Sequence, residues 1–232
     1  MKIKLLSKVI TLILIISVNH ISSPSYAQSR SHSNWIFGTR CSLSWDLQNQ
    51  ITTGTNAQID TFEGVATFSD PVSGDLLLYS DGRTAWNRQD QVISSQALGG
   101  DPSAAQSAII VPAPGLVDHY YIFTQPARQG SLQYTLFDMS AGGVQIGSPS
   151  TAPNTVSSSE TVGATPHRNG RDFWIITTDG GANTLIVFLL SPDGLSSANV
   201  YQQNNIGSLP LNLGQIVFSS DSRSLLIAGR GL

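Results

Sequence analysis

The chain has 232 residues, with twelve basic and fifteen acidic side chains and a single cysteine. All three lysines lie at Lys2, Lys4 and Lys8, so the remainder carries nine arginines against fifteen carboxylates, a formal charge of −6. A lysine-free acidic surface has little to offer a phosphate backbone, whose binding depends on clustered cations, so neither nucleic acid nor anionic lipid is expected as a partner. Cys41 has no partner for an intramolecular disulfide, and His32, His119 and His167 are scattered without a second thiol, so no metal or other cofactor is expected.

The first element is an export signal. Lys2, Lys4 and Lys8 precede an apolar run from Val9 to Val18, and Ser25-Tyr26-Ala27 then places small residues where a signal peptidase reads them. The run is shorter than the roughly 20 apolar residues a spanning helix needs. Residues 1–27 therefore read as a signal peptide and residues 28–232 as one exported domain, secreted or held at the cell surface, with no membrane span after cleavage.

Past Gln28, β-prone runs alternate with clusters of Gly, Pro, Asp, Asn and Ser, and no helical period is sustained. Strands are expected at Trp35–Phe37 and Leu43–Trp45, then in a first unit at Val65–Ser69, Leu76–Ser80, Thr84–Asn87 and weakly Gln91–Ile93. A second unit follows at Ala108–Val111, Tyr120–Thr124, Leu132–Asp138 and weakly Val144–Ile146. Residues Gly147–Ser159 read as a long exposed loop. A third unit takes Val162–His167, Phe173–Thr177, Thr184–Leu190 and weakly Asn199–Tyr201, and a fourth begins with Gln215–Phe218 and Leu225–Gly229. The most apolar strand of each unit ends at residue 80, 124, 177 or 229, spacings of 44, 53 and 52 positions.

Short antiparallel strands in groups of four at such a period are the signature of β-propeller blades. The second strand of each unit is apolar at nearly every position, as it must be if both its faces are covered by neighbouring units. The expected fold is an all-β propeller of four-stranded antiparallel blades, with about four blades present in an incomplete ring. The first and last units would then leave apolar faces for neighbours to cover.

The motifs resemble a known family. Asn34-Trp35-Ile36-Phe37-Gly38, Thr61-Phe62-Glu63-Gly64, Leu77-Leu78-Tyr79-Ser80-Asp81-Gly82 with Trp86-Asn87-Arg88, Gln106 through Gly115, and His167 through Thr177 are similar, in that order, to the N-terminal propeller region of large exported Bacteroidetes surface proteins. Those proteins are often joined to PKD-type and gliding-motility-associated domains. Phe218 through Leu225 resembles the WD40-like strand-turn-strand pattern of periplasmic propellers. The resemblance implies a propeller fold and a surface location, and says little about activity.

Four residues are candidates for a ligand site lining a central channel: Glu63, Gln106, Glu160 and His167. The two glutamates are the only ones in the chain; both fall at the start of a unit's first strand, and His167, at a first strand's end, could join them, as could Gln106. Such residues would bind a polar ligand, or act as a general acid/base pair if the carboxylates come close. Asp81-Gly82, Asp179-Gly180-Gly181 and Asp193-Gly194 read as turns, and Trp35, Trp45, Trp86 and Trp174 as packing residues. No nucleophile elbow is present. The expected function is thus a binding module without its own catalysis, its partner a protein or glycan; the alternative is a carbohydrate-active enzyme. If the export signal is read correctly, mass spectrometry of the exported protein starts at Gln28, whereas a mature product retaining Met1 contradicts it.

Overall fold

A computed structural model describes residues 29–128, 130–153, 158–179, 184–202 and 214–229. They form five small antiparallel sheets in chain order. Sheet I holds β1 (Asn34–Phe37), β2 (Cys41–Trp45) and β3 (Ile51–Gly54). Sheet II holds β4 (Ala66–Ser69), β5 (Leu76–Ser80) and β6 (Ala85–Asn87). Sheet III holds β7 (Ala108–Pro112), β8 (His119–Thr124), β9 (Gln133–Asp138) and β10 (Val144–Thr151). Sheet IV holds β11 (Ser158–Pro166), β12 (Phe173–Asp179), β13 (Thr184–Ser191), the short β14 (Gly194–Leu195) and β15 (Asn199–Gln202). Sheet V pairs β16 (Gly214–Phe218) with β17 (Leu225–Gly229). No sheet among the described residues closes on itself as a ring or barrel, and sheets I and V share no ladder.

Alternation along the second strands explains the arrangement. Side chains of a strand point to opposite faces in turn. Tyr79 packs with Ile36 and Trp86 between sheets I and II, whereas its neighbour Leu78 packs with Ile122 and Phe137 between sheets II and III. Phe123, next to Ile122, joins Ile175 and Phe188 between sheets III and IV, and Ile176 joins Ile216 and Leu225 between sheets IV and V. The second strands of the three middle sheets, β5, β8 and β12, are therefore apolar at most positions because two different sheets cover each of them.

The hairpins joining first to second strands repeat one closure. The residue after the first strand donates its N–H to the carbonyl of the residue before or at the start of the second: Asp70 to Asp75, Ala113 to His119, His167 to Asp172 and Ser219 to Ser224, all at 2.8–2.9 Å. Aspartate side chains tighten several of these turns. The Asp70 carboxylate accepts from the N–H groups of Val72 and Ser73, and these bonds hold its pKa below the ordinary carboxylate value. Asp81 acts as expected in its turn, accepting from the N–H groups of Arg83 and Thr84. Gly180 and Gly181 lie outside the described residues.

Several expectations need correction. Sheet I has three strands, because Ile51–Gly54 adds an edge strand that its two threonines and glycine disguised. The weak fourth strand at Gln91–Ile93 reduces to one bridge, Trp86 to Val92; β6 is only three residues long, and the chain then follows it through widely spaced bonds such as Leu98 N–H to the Arg83 carbonyl. Residues 147–151 of the expected loop belong to β10, and 158 and 159 to β11. Gly147 at φ +70° and Pro149 sit within a register shift between Ile146 and Ser150, so a bulge absorbs residues that read as loop. Trp35 is exposed rather than packed, and Trp174 is only half-buried. No helix among the described residues is long and apolar enough to cross a membrane.

Candidate functional site

The first strands of successive sheets are neighbours: β1 lies by β4, β4 by β7, β7 by β11, and β11 by β16. They are not joined as one sheet, so side chains and loop backbone bridge them. Gly64 donates its N–H to the Ala104 carbonyl and accepts at its own carbonyl from the Ser107 hydroxyl. A side chain at Gly64 would collide with the backbone of Ser107, so the close approach requires glycine.

Where these strands meet there is an open cavity of about 460 Å³. Ala66, Ala108 and Ala164, one from each of three adjacent first strands, make its lining small and apolar, with Ile110 beside them. Glu63, Gln106, Gln215 and His32 supply its polar groups. Glu63, Gln215 and His32 are exposed.

Three of the candidates occupy repeat-equivalent places, two residues before Val65, Ala108 and Val162. Their side chains do different work. The Gln106 amide pairs with the backbone of Ile216 much as another peptide would, accepting its N–H at 2.8 Å and donating to its carbonyl at 3.3 Å. Glu160 is buried, and its two carboxylate oxygens accept the backbone N–H groups of Ala105 and Arg128. A bulge between Ser158 and Val162 aims it there, and the hydroxyls of Thr161 and Thr178, 2.9 Å apart, satisfy each other beside it. Glu63 alone has a carboxylate with no hydrogen bond or ion pair among the described residues, and it lines the cavity.

His167 does not join them. It follows the far end of β11 from Glu160, seven residues away, which in extended chain is about 20 Å. Its ring meets Trp174 edge-on, with centroids 5.1 Å apart, at a separate cavity of about 530 Å³ shared with Arg168 and Arg223. Nearby, the Arg171 guanidinium on Asp172 at 2.7 Å holds that carboxyl below the ordinary carboxylate range. The structure thus brings Glu63 and Gln106 to one cavity, places Glu160 behind it as a backbone clamp, and removes His167 to a hairpin.

Sequence reading missed His32 and Gln215. Gln215 is the second residue of β16, inside the strand rather than before it, so it does not share the repeat place of Glu63, Gln106 and Glu160. His32 precedes β1 in a turn with no repeat counterpart, so no periodic signal marked it. Among the described residues no three His, Cys, Asp or Glu side chains are grouped to hold a metal ion. No protein-family model, curated protein or solved structure matches this chain.

The two glutamates are expected to separate in a denaturation experiment. Glu160→Ala strands two backbone donors and should cost about 1–3 kcal/mol, the penalty for buried groups left unsatisfied. Glu63→Ala removes no bond and should stay within about 0.5 kcal/mol of the parent. Equal losses in urea titrations of the two variants would contradict these roles.

Proposed function

We propose that the chain is an exported binding module of propeller type, residues 1–27 its signal peptide and 28–232 its domain, whose inner-strand cavity takes a protein or glycan at the cell surface. Successive small sheets packed face to face, with their first strands side by side, support the propeller reading; the sheets from β4 onward serve as blades and sheet I as a further one. The motif resemblance to exported Bacteroidetes propellers supports the location.

The observation that carries the binding reading is Glu63. Of three equivalent polar residues, two have side chains spent on tying sheets together, and the third is an unpaired carboxylate at the rim of a small-residue cavity. Glu63 accepts hydrogen bonds, Gln215 both donates and accepts, and the lining of Ala66, Ala108 and Ala164 leaves room for a sugar ring or a side chain. Charge-assisted bonds of this kind contribute about 1.5–3 kcal/mol each when formed to a good donor.

The commonest glycoside hydrolase mechanism uses two carboxylates, about 5–5.5 Å apart for retention or 6.5–9.5 Å for inversion. Glu63 is the only carboxylate among the described residues lining the cavity, and Glu160 has both oxygens on backbone N–H groups. This favours binding over hydrolysis.

Screening the protein against immobilised glycans and purified surface proteins tests the reading. Glu63→Ala should weaken the retained ligand by about tenfold or more, equivalent to about 1.4 kcal/mol, at unchanged thermal stability. Binding indifferent to Glu63, Gln215 and His32 would contradict the cavity as the site, and Glu63-dependent release of reducing sugar would favour the enzyme.

A further inference from the structure

A second cavity lies between the hairpins of sheets IV and V, at the opposite end of β11 from Glu160. The two sheets touch closely at Gly163, where a side chain would meet Ile216 and Phe218. Beyond that contact, toward the turns, is the cavity of about 530 Å³, lined by Thr165, His167, Arg168 and Trp174 of sheet IV and by the turn Asp221–Arg223 of sheet V. Arg168 and Arg223 are exposed. All fifteen acidic residues of the chain are among the described residues, and neither Arg168 nor Arg223 forms an ion pair with any of them. Arg171, the third arginine of these two turns, is by contrast held on Asp172 at 2.7 Å. The equivalent turns of sheets II and III, residues 70–75 and 113–119, contain no arginine, so closing such a turn does not call for one.

We propose that this cavity is a second binding site and that it takes a uronic acid: Arg168 and Arg223 hold the carboxylate while Trp174 supports the sugar ring. The planar fork of a guanidinium matches the two oxygens of a carboxylate. The one acidic group lining the cavity is already engaged, since the Asp221 carboxylate accepts from the Ser219 hydroxyl at 2.6 Å and from the Arg223 N–H at 3.1 Å.

Charge and shape narrow the ligand. Two guanidiniums against one carboxylate leave a single positive charge, which a monoanion neutralises. A phosphate monoester brings about −1.5 to −2 at neutral pH, an excess that a domain of formal charge −6 past its lysines repels. Trp174 points to the same side of β12 as Ile176, two residues on, yet it is half-buried and its indole gives the cavity an apolar wall. The His167 ring braces that indole edge-on. His167 Nδ1 accepts from the Asn169 N–H at 3.3 Å, and its Nε2 has no hydrogen-bond partner among the described residues. With Thr165 and Ser222 beside it, the cavity offers partners for ring hydroxyls, which an aspartate or glutamate side chain lacks. This inference is independent of what the Glu63 cavity binds.

Titration of the exported protein with trigalacturonic acid, followed by heteronuclear NMR, tests it. Amide signals of residues 165–174 and 221–223 should shift as the saccharide is added up to millimolar concentration. Arg168→Gln and Arg223→Gln should each weaken binding about tenfold or more, and circular dichroism should show both folded, as both residues are exposed. Arg88→Gln removes the same charge from an exposed turn of sheet II and should leave the affinity within about twofold, since distant surface charges are screened. Absence of shifts in these two hairpins overturns the proposal, as does binding indifferent to Arg168 and Arg223. A loss with Arg88→Gln equal to theirs shows that net charge alone is felt and overturns it too. Equal binding of neutral trigalactose overturns the role of the carboxylate, and equal binding of triglutamate that of the sugar.

Discussion

The structure depends on double-sided burial of the second strand in its three middle sheets. Leu78 and Tyr79, Ile122 and Phe123, and Ile175 and Ile176 are adjacent pairs whose members sit in different clusters, one on each side of the sheet. Burying a side chain of this size stabilises by about 1.5–3 kcal/mol, and each pair does so at two junctions at once. A small sheet needs a hydrophobic face to be stable; here each middle sheet has two, because its second strand belongs to two cores.

That constraint also fixes where the polar chemistry goes. With both faces of every middle sheet apolar, unpaired backbone groups collect at the inner ends, where the chain passes from one sheet to the next. Thr61 donates its hydroxyl to the Pro102 carbonyl at 2.5 Å, Ser107 to that of Gly64, Thr124 to that of Leu98, and Gln125 its amide to that of Thr161. Gln106 and Glu160 belong to this lattice of cross-sheet bonds. Their polarity answers a structural demand, the backbone groups that strand ladders do not reach. Glu63 stands in the same repeat position without that demand, and its carboxylate has no hydrogen bond or ion pair among the described residues.

The all-β class, the strand pairs from β4 onward and their repeat were legible in the sequence because alternation and turn chemistry are local. Leu76–Ser80 and Leu225–Gly229 match the observed β5 and β17 to the residue. What was not legible depends on contacts distant in sequence. Glycine and proline marked residues 147–151 as loop, yet a bulge lets them run beside β9 with Ala152 buried past their end. Trp35 reads as core in any composition argument, and only the absence of a described neighbour for sheet I leaves it exposed. The site was half legible. Repeat position identified Glu63, Gln106 and Glu160, but it could not say that Glu160 turns back onto Ala105 and Arg128, nor that His167 lies at the other end of β11.

The central claim, that two-sided burial of the second strands holds the domain together, is tested most directly by native-state hydrogen exchange on dilute protein. Amides of β5, β8 and β12 should exchange most slowly, with free energies of opening near the global value. Those of β2 and β17, whose sheets pack against only one other sheet among the described residues, should exchange far faster. Protection in β17 or β2 equal to that in β8 would contradict the account.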